Sequence, residues 1–336
     1  MANWYLQSGK DWDVILNTKV RISRNINGFN FVNKCSKEEK LNILEKIEEI
    51  YPQIGYNLNL LKIAGMDEIT RETLVEKGIV PRDFIRGDIE NKAILLNDDE
   101  NICIMINNID HLEIEVFSSG EGIEDVSRLA LEIEQKIEEH IGFSYNEKYG
   151  FLTASPANIG TGINIFVACH MPGLVHTGNI NQMLRIVNRF NMNIDERGSK
   201  KSDIYTISNG ITLGVTEEEI IQNLLEITSK IIDKERLARK YLTNDGLTLE
   251  DNVYRAFGTL KYARTIKYDE AKTLISDIKM GTDLGIINEL DDNKISKLFY
   301  YIKPSNMQKY FNEEMDLKSQ NIKRTEIINL VLDEKI

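Results

Sequence analysis

Proline is scarce in this chain, five among 336 residues, and no low-complexity tract interrupts it. A disordered linker between separate parts is therefore not expected. Cysteine is scarcer still: Cys35, Cys103 and Cys169 stand far apart with no C-x-x-C spacing. That excludes a disulfide framework and gives no zinc or other metal site. Long apolar runs are missing too. Met1 to Lys10 holds no apolar segment of the signal-peptide kind and no later run approaches the length of a membrane span, so a cytoplasmic protein without a membrane partner is expected. Basic side chains are outnumbered, 41 against 53 acidic, for a net charge of -12. Such a balance speaks against direct binding of nucleic acid along its phosphate backbone and leaves room only for a local basic site. The chain carries no repeat at a fixed period.

What is there is an ordinary globular composition, 42% apolar and 28% charged, in a chain long enough for two domains. From Asn17 to Asn25, alternation puts Lys19, Arg21 and Ser23 on one face of an extended segment and Val20, Ile22 and Arg24 on the other. Two cations aimed the same way suit a polyphosphate, although a solvated strand face explains the same pattern. Ser36 and Glu39 form a capping box before Leu41, Leu44 and Ile47 at helical spacing, which predicts a scaffold helix. Ala93 to Leu96 and Asn101 to Ile106 read as a hairpin around Asn97 to Glu100. Leu112, Ile114 and Val116 alternate with Glu113 and Glu115 as a half-buried strand. Val126, Leu129, Ala130, Ile133 and Ile137 mark an amphipathic helix closing at Gly142, with Glu132, Glu134, Glu138 and Glu139 as its solvated acidic surface. A second capping box, Thr216 with Glu219, opens another helix, and the text is helical from Glu235 onward.

Gly150 to Leu174 joins a small-residue loop, Ser155 to Gly162, to an apolar run, Ile163 to Met171, that reads as a buried strand. Gly160 and Gly162 allow a close backbone approach, as a compact anion or a reacting group needs. Spacing alone equally supports a tight turn before a core strand. His170 reads as a satisfied core histidine.

The motif S-P-A-N-I-G-T-G beginning at Ser155 resembles the C-P-T-N-x-G-T loop of the phosphagen (guanidino) kinases, and His170-Met171-Pro172-Gly173-Leu174 resembles the H-x-P-x-L of their bacterial protein-arginine kinase branch. N-T-K-V-R-I-S-R-N from Asn17 is similar to the family's S-S-R-I-R-L-A-R-N, and Ile106 to Glu113 is similar to V-N-E-E-D-H-L-R. Glu250 to Arg264 and Met280 to Ile287 resemble the helical C-terminal domain of the protein-arginine kinase branch. The resemblance runs from Trp4 to Leu330 and implies an α+β fold: a large antiparallel sheet flanked by helices, residues 1–233, followed by an all-α domain, residues 234–336, for dimerisation and regulation. It implies transfer of the γ-phosphoryl group of ATP, with magnesium, to arginine side chains of proteins. Implied partners are proteins with arginine-rich surfaces, a heat-shock repressor and Clp chaperone-protease components, with the chain as a homodimer.

By the same resemblance Ser155, Asp110 and Glu196 fall at catalytic positions, and Lys19, Arg21, His111, Asn164 and Asn191 at nucleotide-binding ones. Several positions depart from the family. Ser155 replaces a reactive cysteine, Ile109 a catalytic glutamate, and Lys19, Glu113, Asn164 and Asn191 replace phosphate-binding arginines. In the C-terminal R-D-x-x-R-A motif, which reads phosphoarginine in this branch, Gln320 replaces the first arginine and only Arg324 remains. Because phosphoryl transfer depends on positioning and charge neutralisation, these departures predict weak or absent catalysis and a regulatory role. The alternatives are a working kinase whose phosphate site is rebuilt from Lys19, Arg21, Arg82, Arg86, Arg197, Lys200 or Lys201, and a binding module for arginine-rich proteins.

Overall fold

The structure, a computed structural model, describes residues 3–196 and 202–336. The chain opens with β1 (Ile15–Arg24), α1 (Lys37–Ile54), β2 (Leu58–Lys62) and α2 (Glu68–Lys77). Three strands follow, β3 (Ala93–Asn97), β4 (Ile102–Ile106) and β5 (Leu112–Ser119), and then α3 (Ile123–Glu138). A two-residue pair, β6 (Tyr145–Asn146) and β7 (Gly150–Phe151), leads to β8 (Ile163–His170). After α4 (Pro172–His176) and α5 (Ile180–Arg189) come β9 (Met192–Glu196) and β10 (Ile204–Asn209). The rest is helical: α6 (Glu217–Leu242), α7 (Gly246–Tyr262), α8 (Tyr268–Asp283), α9 (Asp292–Tyr301), α10 (Pro304–Phe311) and α11 (Leu317–Leu332).

Among the described residues eight strands form one sheet in the order β2-β3-β4-β5-β1-β8-β10-β9, every neighbouring pair antiparallel. The α+β architecture expected from the sequence is thus the observed one. One face of the sheet presents Val20, Ile22, Ile114, Val116, Ile165 and Val167 to α1, α3 and α6, all in one buried cluster. Each such side chain contributes about 1.5–3 kcal/mol on leaving water. Both capping boxes form: Ser36 Oγ accepts from Glu39 N while Glu39 reaches back to Ser36 N, and Thr216 and Glu219 repeat the exchange. Of the apolar stripe on α1, Leu44 and Ile47 enter the core and Leu41 stays exposed.

α6 is one continuous helix across the 233/234 position. Its Ile231, Ile232 and Ala238 belong to the core under the sheet, whereas Leu249 and Val253 of α7 begin a second core that α8, α9 and α11 complete. A buried polar network joins the two cores. Glu235 accepts from Gly173 N and Leu174 N at 2.8 and 2.9 Å and from Arg239 Nε at 2.6 Å. Arg239 and Lys279 both reach Asp283, each at 2.9 Å, and Lys279 Nζ lies 4.0 Å from the Trp12 ring centre. His170 sits fully buried in this network. Its Nδ1 faces Arg239 Nη2 at 3.3 Å, a donor, so Nε2–H donates to Ser276 Oγ at 2.8 Å. Burial first, then Arg239 and Lys279, pushes its pKa well below the ordinary value. The imidazole is neutral and structural, as its sequence context suggested.

Two expectations are corrected. Glu134 is not part of a solvated acidic surface: it is buried, with Oε1 2.8 Å from Arg24 Nε. Arg24 points into the core side of β1 and needs an anion there, and α3 supplies it. Nor is β5 half-buried. Glu113 and Glu115 are 1% and 0% exposed, because the other face of β5 is also covered and Arg21 of β1, directly opposite Glu115, reaches both carboxylates.

Candidate active site

The covered second face of the sheet is where the candidate residues meet. Register places Lys19 opposite Phe117 of β5 and Phe166 of β8, Arg21 opposite Glu115 and Asn164, and Ser23 opposite Glu113. Side chains two apart on a strand share a face, so these neighbours make a continuous polar row across β5, β1 and β8.

Within the row, one carboxylate oxygen holds both cations. Arg21 Nε and Nη2 each lie 2.5 Å from Glu115 Oε1, and Lys19 Nζ lies 3.2 Å from the same atom. Arg21 Nε is 3.5 Å from Glu113 Oε2. Burial works against the charge on Arg21, but Glu115 and then Glu113 outweigh it, so its pKa lies above the ordinary value. For Glu113 burial is the larger influence and raises the pKa, with Arg21 pulling the other way. The Arg21 and Lys19 side chains also lie against the Phe166 ring, 5.8 and 5.0 Å from its centre. Two cations and two carboxylates leave the row with no net charge.

Glu113 also shapes the loop before it. Its Oε1 accepts from Asn108 Nδ2 at 2.9 Å and from Ile109 N at 3.2 Å, leaving the Ile109 side chain 53% exposed. Asp110 is fully buried, and its Oδ1 accepts from Asn25 Nδ2 and from Ala154 N, both at 2.6 Å, which ties the Ser155 loop to the end of β1. His111 Nδ1 accepts from Ile26 N at 3.0 Å, and its Nε2–H donates to Asn30 O at 2.7 Å. Both ring nitrogens are therefore engaged with backbone, and burial lowers the pKa of the imidazole.

Ser155 precedes a single turn, Pro156–Asn158, of 3-10 helix. Asn164 Nδ2 donates to Asn158 Oδ1 at 3.0 Å, so the loop and β8 hold one another. The two glycines do permit a close approach, but to this chain. A Cβ on Gly160, where φ is +111°, would lie 2.2 Å from Thr212 O, and one on Gly162 would lie 2.6 Å from Arg24 Nη1. Arg24 Nη1 in turn donates to Thr161 O at 2.9 Å and the guanidinium stacks 3.5 Å from the Phe151 ring centre.

The structure thus brings Lys19, Arg21, Asn164, Asp110 and the Ser155 loop to one region. Asn191 lies apart, in the turn between α5 and β9, at a φ of +55° that asparagine tolerates, its carbonyl accepting from Gly210 N. Glu196 ends β9 opposite Tyr205. Its side chain, with Arg197, Lys200 and Lys201, lies outside the described residues. Arg82 and Arg86 are bound elsewhere, to Glu72 at 2.8 and 3.6 Å. Arg324 is buried and donates to the carbonyls of Ile302 and Ile266 at 2.8 and 2.9 Å. Glu115 was missed by motif reading. Its only signal was alternation, which put it on the same face as Glu113, and the facing strand was not legible from sequence.

Residues 42–238 match the family model described as ATP:guanido phosphotransferase, C-terminal catalytic domain. Residues 246–335 match the one described as Protein-arginine kinase McsB C-terminal domain. A protein-arginine kinase of Halothermothrix orenii is 34% identical over 339 residues, spanning 99% of this chain and 97% of that protein. One from Clostridium tetani is 31% identical over 341 residues and spans 100% of both. Among solved structures, the duplicated taurocyamine kinase of Schistosoma mansoni with transition-state analogue components superposes with a TM-score of 0.62 at 22% identity, over 72% of this chain and 37% of that one. A lombricine kinase gives 0.59 at 20% identity over 68% of each chain. These structural likenesses speak to the fold.

Proposed function

The chain belongs to the protein-arginine kinase family of ATP:guanido phosphotransferases, whose activity uses ATP, and from that premise we propose that its own phosphoryl transfer is weak or absent. The observation that carries this reading is the Glu115 oxygen shared by Lys19 and Arg21. A triphosphate brings negative charge and acceptor oxygens. The row offers it two cations already neutralised by Glu113 and Glu115, and two further buried acceptors, Glu113 Oε2 and Glu115 Oε2, without a hydrogen-bond partner among the described residues. These residues do not fit the oxygens of a nucleotide triphosphate. Loss of one preorganised donor costs about 2.7–4 kcal/mol of transition-state stabilisation, and here one inherited position carries the opposite charge.

On this reading the chain acts through its fold, as a dimeric regulator toward proteins with arginine-rich surfaces, in the circuit of the heat-shock repressor and the Clp chaperone-protease. Mg-ATP titrated by calorimetry, together with detection of phosphoarginine on the chain and on an arginine-rich substrate, tests it. Neither binding nor transfer is expected. Tight Mg-ATP binding with phosphoarginine formation would overturn the reading in favour of a working kinase with a rebuilt site.

A further inference from the structure

α5 and α6 stand as two walls with α4 packed against both, and between them run two adjoining cavities of about 540 and 660 Å³ that share Asn179, Gln182 and Ile186. We propose that this groove is a docking site for an acidic amphipathic helix of a partner protein, its apolar face on the floor and its carboxylates against a basic rim. The groove shares no residue with the polar row of the sheet, so the proposal stands apart from the reading of that row.

Helical periodicity builds the walls. Lys234, Leu237, Ala238 and Tyr241 recur at i, i+3, i+4 and i+7 on α6, and Gln182, Met183 and Ile186 share one face of α5. Leu174, Met183 and Ala238 are buried at the floor, whereas Leu237 and Tyr241 are 61% and 68% exposed, an apolar pair one turn apart that no described residue covers. Both walls are helices whose backbone groups are spent within the helix, so an added strand finds nothing to pair with and an occupant is held by side chains, as a helix in a groove is. α5 has ten residues, about 15 Å, which gives room for about three turns of such a helix. Charge names its chemistry. Arg185, Arg189 and Lys234 line the groove, no carboxylate lines it, and none pairs with these three among the described residues. Arg185 Nε donates to Asn181 O of its own helix at 3.2 Å, and Glu235, beside Lys234 in sequence, is committed to Arg239 and the start of α4. Three such cations in a chain of net charge -12 attract an acidic segment and repel a basic one. A flat anionic bilayer would meet the rim but not the recessed floor of Leu174 and Ala238, which favours the helix.

The test is fluorescence anisotropy of the full chain with a fluorescein-labelled synthetic peptide of about 15 residues, leucine at i, i+3, i+4 and i+7 spacing and glutamate between, beside the same peptide with lysine for glutamate. The acidic peptide is expected to bind saturably, one per chain, and to weaken as salt rises; the basic one is expected to bind at least about tenfold more weakly. Arg185→Glu combined with Arg189→Glu, both exposed, is expected to weaken the acidic peptide at least about tenfold, and Tyr241→Ser to act in the same direction by removing apolar contact, each with a native melting temperature. Leu247→Ser, at a residue 80% exposed and outside the groove, is expected to change nothing. No binding of the acidic peptide, equal binding of the basic one, or unchanged affinity in the folded variants would overturn the proposal. So would a dimer that excludes the peptide and that Tyr241→Ser dissociates, which would make the groove an interface between copies, or binding to phosphatidylserine vesicles in place of the peptide, which would make it a membrane face.

Discussion

Glu115→Gln separates a row neutralised by its own carboxylates from one that is merely short of arginines. The substitution keeps the shape of the side chain and removes the charge shared by Lys19 and Arg21. Two effects of opposite sign follow. Arg21 loses its nearest anion in a largely buried setting, and breaking a buried pair destabilises by about 3 kcal/mol, roughly 4 °C in melting temperature for a chain of this size. A phosphate about 5 Å from that carboxylate also escapes a repulsion of about 3 kcal/mol at an effective dielectric near 20, or about 2 kcal/mol after allowing for solvent at Arg21, which is roughly thirtyfold in affinity. The assay is a thermal melt and a calorimetric titration with inorganic tripolyphosphate, on the native chain and on the variant. The variant should melt lower in buffer and recover with ligand, by about 2.7 kcal/mol at about 100 times the dissociation constant. Tripolyphosphate binding to the native chain as tightly as to the variant, or a variant whose melt ignores the ligand, would refute the reasoning.

Three further outcomes are expected. His170 is neutral in the fold with its pKa held below the ordinary 6.5, so below about pH 6.5 the unfolded chain binds the extra proton and stability falls as pH drops; His170→Gln should flatten that slope in urea midpoints taken between pH 7.5 and 5.5, and an unchanged slope would assign it to other groups. Asp277, pushed up to about 6 by burial, works in the opposite sense, stabilising less as pH rises toward 6, and is common to both chains in that comparison. Glu235→Gln should cost about 3 kcal/mol in urea unfolding, since it strips one of the two anions from Arg239, which keeps Asp283, and the anion from the start of α4; a loss under about 1 kcal/mol would mean the network tolerates a neutral centre. Gly160→Ala should destabilise by about 1–3 kcal/mol, because its φ is unsuited to a side chain and the new Cβ meets Thr212 O; a native melting temperature would show that the loop yields.

Much of the fold was legible because it rests on local periodicity. Alternation gave β1 and β5, continuous apolar runs gave β3, β4 and β8, and the Ser36 and Thr216 capping boxes placed two helix starts. The misreadings share one physical cause. Glu113, Glu115 and Glu134 were read by polarity, and acidic residues are exposed unless something pairs them. What paired them was Lys19, Arg21 and Arg24, brought opposite only by strand register and helix docking across about a hundred residues of sequence. The candidate site was legible as a set of motif positions. Its electrostatics were not, because Glu115 belonged to no motif and its effect depends on sharing one oxygen between two strand neighbours.

That sharing changes what the departures mean together. A face of uncompensated cations is strained in the empty protein, since like charges on a covered sheet repel and stay partly dehydrated, and a bound polyphosphate relieves the strain. Here the chain carries its own anions at 113 and 115, so the fold is internally balanced without a ligand. On the proposed reading Glu113 does two things at once: it stands where the family resemblance implies a phosphate-binding arginine, and it supplies a carboxylate that ties Arg21 to the Asn108 and Ile109 loop. If the balance is the reason these residues are kept, saturating Mg-ATP should leave the melting temperature of the native chain unchanged, whereas Glu113→Arg should lower it in buffer, where Arg21 then faces a second cation, and make it responsive to nucleotide.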